Sequence, residues 1–244
     1  DTFDYKPELV KAHEQKVAKY MGTAFDFKLR GKSGLMISDA FPELSKHADD
    51  LCILNGMQTR TNAHQMATVA LHIGSETFVR PSMGAWIVYG LGTEAEDLPG
   101  FVTINPVADT GGAMNYGSAF LPASFQGTRL STTGGGVPDL SNGRLSDAQQ
   151  RKQIEFIQKA NRRLLAGDPG NPDLEGVIQS YELAYKMQTS VPDVLDLDQE
   201  PAHIRELYGL DNADTERFGT QCLMARRLAE KGVRFIQLTS TGWD

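Results

Sequence analysis

The sequence contains little cysteine. Among its 244 residues there are two, Cys52 and Cys222, which is too few for the disulfide framework of a small secreted scaffold. They do not form a Cys-x-x-Cys pair, and no His-x-x-x-His pair is present, so the short zinc-binding motifs are excluded. No apolar run approaches the roughly 20 residues that a membrane-spanning helix needs. The sequence therefore predicts no transmembrane segment.

Basic residues are outnumbered by acidic ones. The chain has 24 Lys and Arg against 31 Asp and Glu, which gives a formal net charge of −7. Nucleic-acid binders usually present a basic face to the phosphate backbone, so this balance predicts no nucleic-acid partner. It also argues against a polybasic membrane anchor. Because hydrophobic residues make up 40% of the chain, the composition is that of a protein with a buried core.

Both ends of the sequence differ from those expected of a whole protein. The first residue is Asp1 rather than Met, and no signal or transit pattern precedes it. At the other end, the apolar run Val233–Leu238 predicts a strand, and Thr241 to Asp244 predict the loop that leaves it. Ligands of open parallel sheets bind where the strands end. The sequence stops where such a site would begin, so we expect it to be part of a longer protein.

Short apolar runs alternate with helical patterns along the chain. Strands are predicted at Leu51–Leu54, Phe101–Ile104 and Val233–Leu238. A strong helical pattern leads through Gly232 directly into the last of them, a junction that is typical of α/β units. We predict a single α/β domain over residues 1–244, with these strands in one mostly parallel sheet and helices on both faces.

Several helices carry recognisable end signals. Ser146 with Gln149, and Asn62 with Gln65, have the spacing of a capping box. Gly74 is placed to end the helix that begins at Asn62. The predicted helices cover approximately residues 8–20, 42–48, 62–73, 82–91, 146–167, 174–185, 200–208 and 215–231.

Residues 105–144 have a different composition from the rest. They hold eight of the 24 glycines and only four charged residues. Each glycine inside a helix costs about 1 kcal/mol relative to alanine, so a packed helix pair is disfavoured here. We predict a glycine-rich insertion of mainly irregular structure that covers the carboxyl edge of the sheet.

Carboxylates near the two ends of the chain are candidate metal ligands. Asp1 and Asp4 are close in sequence, and neighbouring carboxylates can bind a divalent ion. The alternative is that both are solvated near a terminus. Asp244 follows a predicted strand and a Gly-Trp pair, where a carboxylate is either a metal ligand or a turn residue.

His64 lies in the first turn of the helix that Asn62 is predicted to cap. Free backbone N–H groups and the positive end of the helix make such a position a natural anion site. His64 and His72 share one helical face but lie about 12 Å apart along the axis, too far to hold one metal. We expect His72 to be a packing histidine, and Cys52 and Cys222 to be buried free thiols.

Segments spread over nearly the whole chain, in order, resemble a known family. The segments include Asp1-Thr-Phe-Asp-Tyr-Lys-Pro7, Gly31-Lys-Ser-Gly34, Asn62-Ala-His64, Arg80-Pro-Ser-Met-Gly-Ala-Trp86, Leu98-Pro-Gly-Phe101 and the stretch from Cys222 to Trp243-Asp244. On these segments the chain is similar to a bacterial sulfatase-like family of unknown function, number 1501 of the domain-of-unknown-function series.

This resemblance implies a fold and a chemistry. The family is placed near alkaline phosphatases, sulfatases and cofactor-independent phosphoglycerate mutases. Such proteins are α/β/α sandwiches with a mostly parallel sheet, which would be incomplete in this chain, and they hold metals with Asp and His at the carboxyl ends of strands. The resemblance thus implies divalent ions (zinc, calcium, magnesium or manganese), with Asp1, Asp4, His64 and Asp244 as ligands. It also implies a periplasmic location, since members commonly carry a twin-arginine export signal.

The nucleophile position departs from the pattern of the related enzymes. In sulfatases and alkaline phosphatases, a formylglycine or a serine opens a helix ten residues before a glycine, and the residue ten before Gly74 is His64. A histidine can ligate a metal or attack phosphorus through a ring nitrogen, but it cannot become formylglycine. His64 is therefore the candidate catalytic residue, and Asn62 is the candidate for orienting it or the substrate anion.

Two functions of different classes follow. The first is a metal-dependent hydrolase-like protein that acts on a small phosphate or sulfate ester, with the metal polarising the ester oxygen. The second is a non-catalytic extracytoplasmic protein on the same fold that binds a glycan or a protein partner; the missing nucleophile favours it. The hydrolase requires Asp1, His64 and Asp244 to lie at one sheet edge, with side chains within roughly 10 Å of one another.

Overall fold

A computed structural model of the chain describes residues 24–132, 136–137, 140 and 143–240. The chain divides into two compact units, with the boundary between Gln58 and Thr59. The helix predicted at residues 8–20 lies outside the described residues.

The first unit is built on an antiparallel hairpin. Strand β1 (Phe27–Arg30) pairs with strand β2 (Leu35–Ser38), and a 3₁₀ helix (Leu44–Asp50) packs against both. Gly31 in the connecting turn has φ +64°, and a Cβ at this position would stand 2.4 Å from Asp49 Oδ1. Only glycine therefore fits between the turn and the 3₁₀ helix.

The strand predicted at Leu51–Leu54 is wrong. These four residues have no regular secondary structure, and most of their side chains are exposed. Cys52 is exposed with them, which corrects the expectation of a buried thiol. So short a strand needs a neighbouring strand to take up its backbone hydrogen bonds. In the described part of the first unit, β1 and β2 pair with each other, and Leu51–Leu54 pairs with neither of them.

The second unit is an α/β fold around a three-stranded parallel sheet. Strand β3 (Phe101–Ile104) is central and lies between β4 (Thr128–Leu130) and β5 (Phe235–Leu238). The strands predicted at Phe101–Ile104 and Val233–Leu238 are thus confirmed as parallel neighbours. Strand β4 is an addition from the glycine-rich segment, whose described residues otherwise form irregular structure and two 3₁₀ helices (Gly112–Tyr116 and Ala123–Phe125).

Helices in the second unit begin at the predicted signals in most cases. Ser146 Oγ accepts a hydrogen bond from the Gln149 N–H, and Gln149 Oε1 accepts one from the Ser146 N–H, so the predicted capping box is confirmed. Asn171 Oδ1 caps a later helix, with Pro172 in its first turn. The α-helices are α1 (His64–Ile73), α2 (Met83–Leu91), α3 (Asp147–Gly167), α4 (Pro172–Leu195), α5 (Ala202–Leu207) and α6 (Glu216–Glu230).

One face of the sheet is covered by α4 and α6. Alternate side chains of a strand point to opposite faces, and Val102 and Ile104 of β3 belong to a single buried cluster together with side chains of both helices. The members contributed by α4 and α6 are Met187, Val191, Val194, Met224 and Leu228. This cluster is the main core of the second unit.

The other face of the sheet is covered by α2. Phe101 of β3 and Phe235 of β5 meet edge to face, with ring centroids 5.1 Å apart. A Cβ on Gly84 of α2 would stand 2.6 Å from atoms of both rings, so the helix backbone lies directly on this aromatic pair. With helices on both faces of a parallel sheet, the predicted α/β fold is confirmed.

A buried carboxylate joins α6 to the segment before α5. The side chain of Glu200 is 9% exposed, and its Oε1 accepts hydrogen bonds from Arg226 and, at 2.7 Å, from Arg227 Nη1. Arg227 Nη2 also donates to the carbonyl oxygen of Asp193 in α4. The guanidinium groups of Arg226 and Arg227 hold the pKa of Glu200 below its ordinary value.

The contact of α2 with the aromatic pair predicts opposite effects for two glycines of one helix. Gly84→Ala should lower the free energy of unfolding by about 1–3 kcal/mol, because the added methyl group displaces Phe101 and Phe235. Gly90→Ala is the matched control, because a Cβ there meets nothing within 4 Å. Alanine has a higher helix propensity than glycine, so this variant should be more stable than the wild type by up to about 1 kcal/mol. Urea unfolding of both variants measures the difference, and equal effects would contradict this packing.

The Glu200 cluster predicts a specific sensitivity to acid. A carboxylate whose pKa is lowered by folding stabilises the fold above its unfolded-state pKa, about 4.5, and loses this contribution as the pH falls through the lower folded-state pKa. Unfolding followed from pH 7 to pH 3 should therefore show stability falling below about pH 4.5. In Glu200→Gln that fall should be shallower. Glu206→Gln, on exposed α5, should keep the wild-type slope, and a Glu200→Gln profile of unchanged slope would refute the assignment.

Candidate functional site

Helix α1 begins at His64, the residue that the sequence singles out. The N-cap is Ala63, which has no side-chain oxygen and makes no capping hydrogen bond. The ten-residue helix ends at Gly74 in the left-handed conformation, φ +68°, as predicted. The positive end of α1 is thus formed by exposed residues that carry no acidic side chain in the first turn.

Asn62 does not cap α1, which corrects the predicted capping box with Gln65. It lies two residues before the helix and is exposed. The Thr61 hydroxyl instead accepts a hydrogen bond from the Ala63 N–H (3.1 Å), while the Thr59 hydroxyl donates to the Thr61 carbonyl (2.6 Å). Such local hydroxyl turns compete with helix capping. The helix therefore starts later than the Asn62 signal predicts.

His64, Thr68 and His72 follow one another along one face of α1. The Thr68 hydroxyl donates to the His64 carbonyl (2.7 Å), and His72 Nδ1 lies 2.7 Å from the Thr68 carbonyl oxygen. A carbonyl has no proton to give, so Nδ1 is the donor. His72 is half-buried and held by its own helix. This arrangement agrees with a packing role for His72.

Of the four proposed metal ligands, one lies within the described ranges and three lie outside them. His64 is described, whereas Asp1, Asp4 and Asp244 lie outside the described residues. Their convergence with His64 therefore stays a prediction. Within the described ranges, no group of three or more His, Cys, Asp or Glu side chains is placed to hold a metal ion. These residues alone do not fit a divalent ion, so a metal centre here would depend on Asp1, Asp4 or Asp244.

The carboxyl edge of the sheet is fixed by Asn105, which the sequence analysis did not single out. Asn105 directly follows β3 and has φ +50°, a left-handed conformation that Asn tolerates better than most residues. Its Nδ2 donates to Thr132 Oγ1 (2.8 Å), and its Oδ1 accepts from the Thr132 N–H (3.0 Å). This amide clamps the end of β3 to the chain beyond β4. An Asn-Pro pair directly after a strand is the signal that could have identified it.

The thiol of Cys222 is disfavoured as a nucleophile. Cys222 in α6 is partly buried, and burial raises the pKa of its thiol, which disfavours the reactive thiolate. The pKa shift thus agrees with a structural role for Cys222.

The family model described as "Protein of unknown function (DUF1501)" matches residues 1–244. The chain belongs to this family. No curated protein and no solved structure matches it. In the described part of this DUF1501 chain, no helix is both long and apolar enough to cross a membrane. The predicted membership of family 1501 is therefore confirmed. The relation to sulfatases and alkaline phosphatases stays a prediction.

Proposed function

We propose that this DUF1501 chain is a metal-dependent hydrolase-like protein of the alkaline phosphatase superfamily that acts on a phosphate or sulfate ester. The observation that carries the proposal is the position of His64, the first residue of an α-helix whose N-cap supplies no side-chain acceptor. Backbone N–H groups and the helix dipole favour an anion at such an end.

The chemistry of the proposal follows from this position. An ester anion at the start of α1 would lie beside the imidazole of His64, which can transfer a proton or attack phosphorus. Asn62, two residues earlier and exposed, would hydrogen-bond the anion or orient the ring. The proposed cofactor is a divalent ion (zinc, calcium, magnesium or manganese) with Asp1, Asp4, His64 and Asp244 as ligands, and it would supply charge stabilisation at the ester oxygen.

The fold supports the proposed superfamily at a coarser level. A parallel sheet with α2 on one face and α4 and α6 on the other is compatible with an α/β/α sandwich. The periplasmic location is part of the same proposal and rests on the family resemblance.

The test is hydrolysis by the complete natural protein of 4-nitrophenyl phosphate and 4-nitrophenyl sulfate, with each of the four ions added in turn. His64→Ala should lower turnover by about 10²-fold or more, because it removes the reacting imidazole. His203→Ala, an exposed histidine on α5, should leave turnover unchanged. Ala63→Asp should place a carboxylate at the helix end and raise KM for the ester anion.

Full activity in His64→Ala would overturn the role of His64. The absence of hydrolysis with all four ions would overturn the hydrolase and favour the second function.

The second function is a non-catalytic protein that binds a glycan, and an aromatic cluster on α2 favours it. Trp86 makes edge-on contacts with Phe120 (5.8 Å between ring centroids) and with Tyr89 (6.0 Å), and Tyr89 makes one with Phe125. Trp86 is 45% and Phe120 70% exposed. Exposed apolar clusters of this kind mark binding surfaces, and aromatic rings can stack on the C–H face of a sugar.

Affinity electrophoresis in soluble neutral polysaccharides, such as laminarin and xylan, tests this function. Trp86→Ala should weaken retardation at least about tenfold, as expected for an aromatic anchor at the centre of a binding patch. Phe156→Ala on α3 is the control, because Phe156 is 75% exposed and belongs to a different surface. Equal mobility of the wild type with and without polysaccharide would rule out these glycans.

A further inference from the structure

A groove of about 290 Å³ lies beside α1. Val69 and Ile73 of α1 are buried and form its floor, while more exposed apolar side chains form its walls. The wall residues are Met66, Phe78, Val79 and Met114. The volume is that of a small ligand site, at the low end of the usual range.

Two local structures keep the walls in place. Gly111, on the far wall, has φ +100°, and a Cβ there would stand 2.5 Å from Val69 Cγ2, so the chain touches the floor of the groove at this point. On the near wall, Ser75 Oγ accepts hydrogen bonds from the N–H groups of Thr77 (3.3 Å) and Phe78 (2.9 Å). This turn fixes the backbone that presents Phe78.

The charged groups of the groove are both carboxylates. The carboxylates of Glu76 and Asp109 line it, and no Lys, Arg or His lies among its described lining residues. Neither carboxylate forms an ion pair with a side chain in the described part of the chain. Asn115, 5% exposed, has an Oδ1 without a hydrogen-bond partner among the described groups, and this oxygen lies 2.6 Å from the Cβ position of the lining residue Gly111.

We propose that this groove binds a small organic cation, an ammonium group on an apolar aliphatic or aromatic body. The apolar floor and walls would take the body, with Met66 and Met114 adapting to its shape. Glu76 and Asp109 would take the charge, since two carboxylates that line the same groove favour a positive ligand. The proposal uses none of the residues that the hydrolase proposal names and does not depend on it.

The test is isothermal titration of the full chain with three probes of similar shape: 2-phenylethylammonium, neutral 2-phenylethanol and anionic 3-phenylpropionate. The ammonium should bind about tenfold more tightly than the alcohol, which corresponds to the modest worth of ion pairs near a surface. The anion should bind more weakly than both. Phe78→Ala should weaken the ammonium and the alcohol alike, because it removes part of the shared apolar wall.

The double variant Glu76→Gln/Asp109→Asn separates charge recognition from folding. It should bind the alcohol as the wild type does and lose the tenfold preference for the ammonium. Glu206→Gln on α5 should keep that preference. Equal binding of the three probes by the wild type, a preference that survives in the double variant, or no binding of the ammonium would each overturn the proposal.

Discussion

The second unit is organised around the ring of Phe101 at the start of the central strand. Two glycines make room for it: a Cβ on Gly84 or on Gly127 would stand within 3 Å of its ring atoms. Gly84 lets α2 approach the sheet, and Gly127 lets the chain enter β4 beside β3. The helix and the third strand thus depend on the same aromatic side chain, and the edge-to-face contact with Phe235 extends this packing to β5.

This packing determines which groups remain available for function. Because the Gly84 face of α2 is buried on the sheet, Trp86 and Tyr89 are left on the exposed side, where they form the aromatic cluster. Because β3 is held between β4 and β5, its carboxyl end is fixed, and the Asn105 amide joins it to Thr132. Ligands of open parallel sheets bind at such edges. The contacts that hold β3 therefore also fix the backbone of the edge where a ligand is expected.

Strong local signals were enough to predict much of this fold. Strands β3 and β5 are apolar runs next to glycine-terminated helices, and the Ser146–Gln149 box defines its helix by side-chain chemistry alone. Strand β4 has three residues, Thr128–Leu130, within a glycine-rich segment, so it has no pattern of its own and forms only because β3 offers an edge. The run Leu51–Leu54 is the converse case, an apolar pattern without a strand beside it.

The candidate site was predictable in part for the same reason. The spacing between His64 and Gly74 is a property of one helix, so the histidine was correctly placed at its start. The cap was not, because Thr61 and Asn62 compete for the same turn and the sequence does not rank them. The Asn-Pro pair after β3 marks Asn105 in the sequence, but its partner Thr132 lies on a distant segment. The groove beside α1 likewise depends on a contact between distant segments, Gly111 against Val69, which no local pattern encodes.

Helix α1 connects the two proposed ligand chemistries through its dipole. Its first residue, His64, lies at the positive end, where an ester anion is favoured, and its last, Ile73, lies at the negative end, about 14 Å away. Glu76 lies three residues after Ile73 and lines the groove. The Glu76 carboxylate and the negative end of the helix both favour a cation in this part of the groove. The groove runs along α1 from Gln65 and Met66 in the first turn to Ile73 in the last. Because the dipole effect is confined to the terminal turns, we expect the ammonium group of the cation at the Ile73 end of this groove. The direction in which α1 runs therefore favours the proposed anion beside His64 and the charged group of the proposed cation beside Glu76.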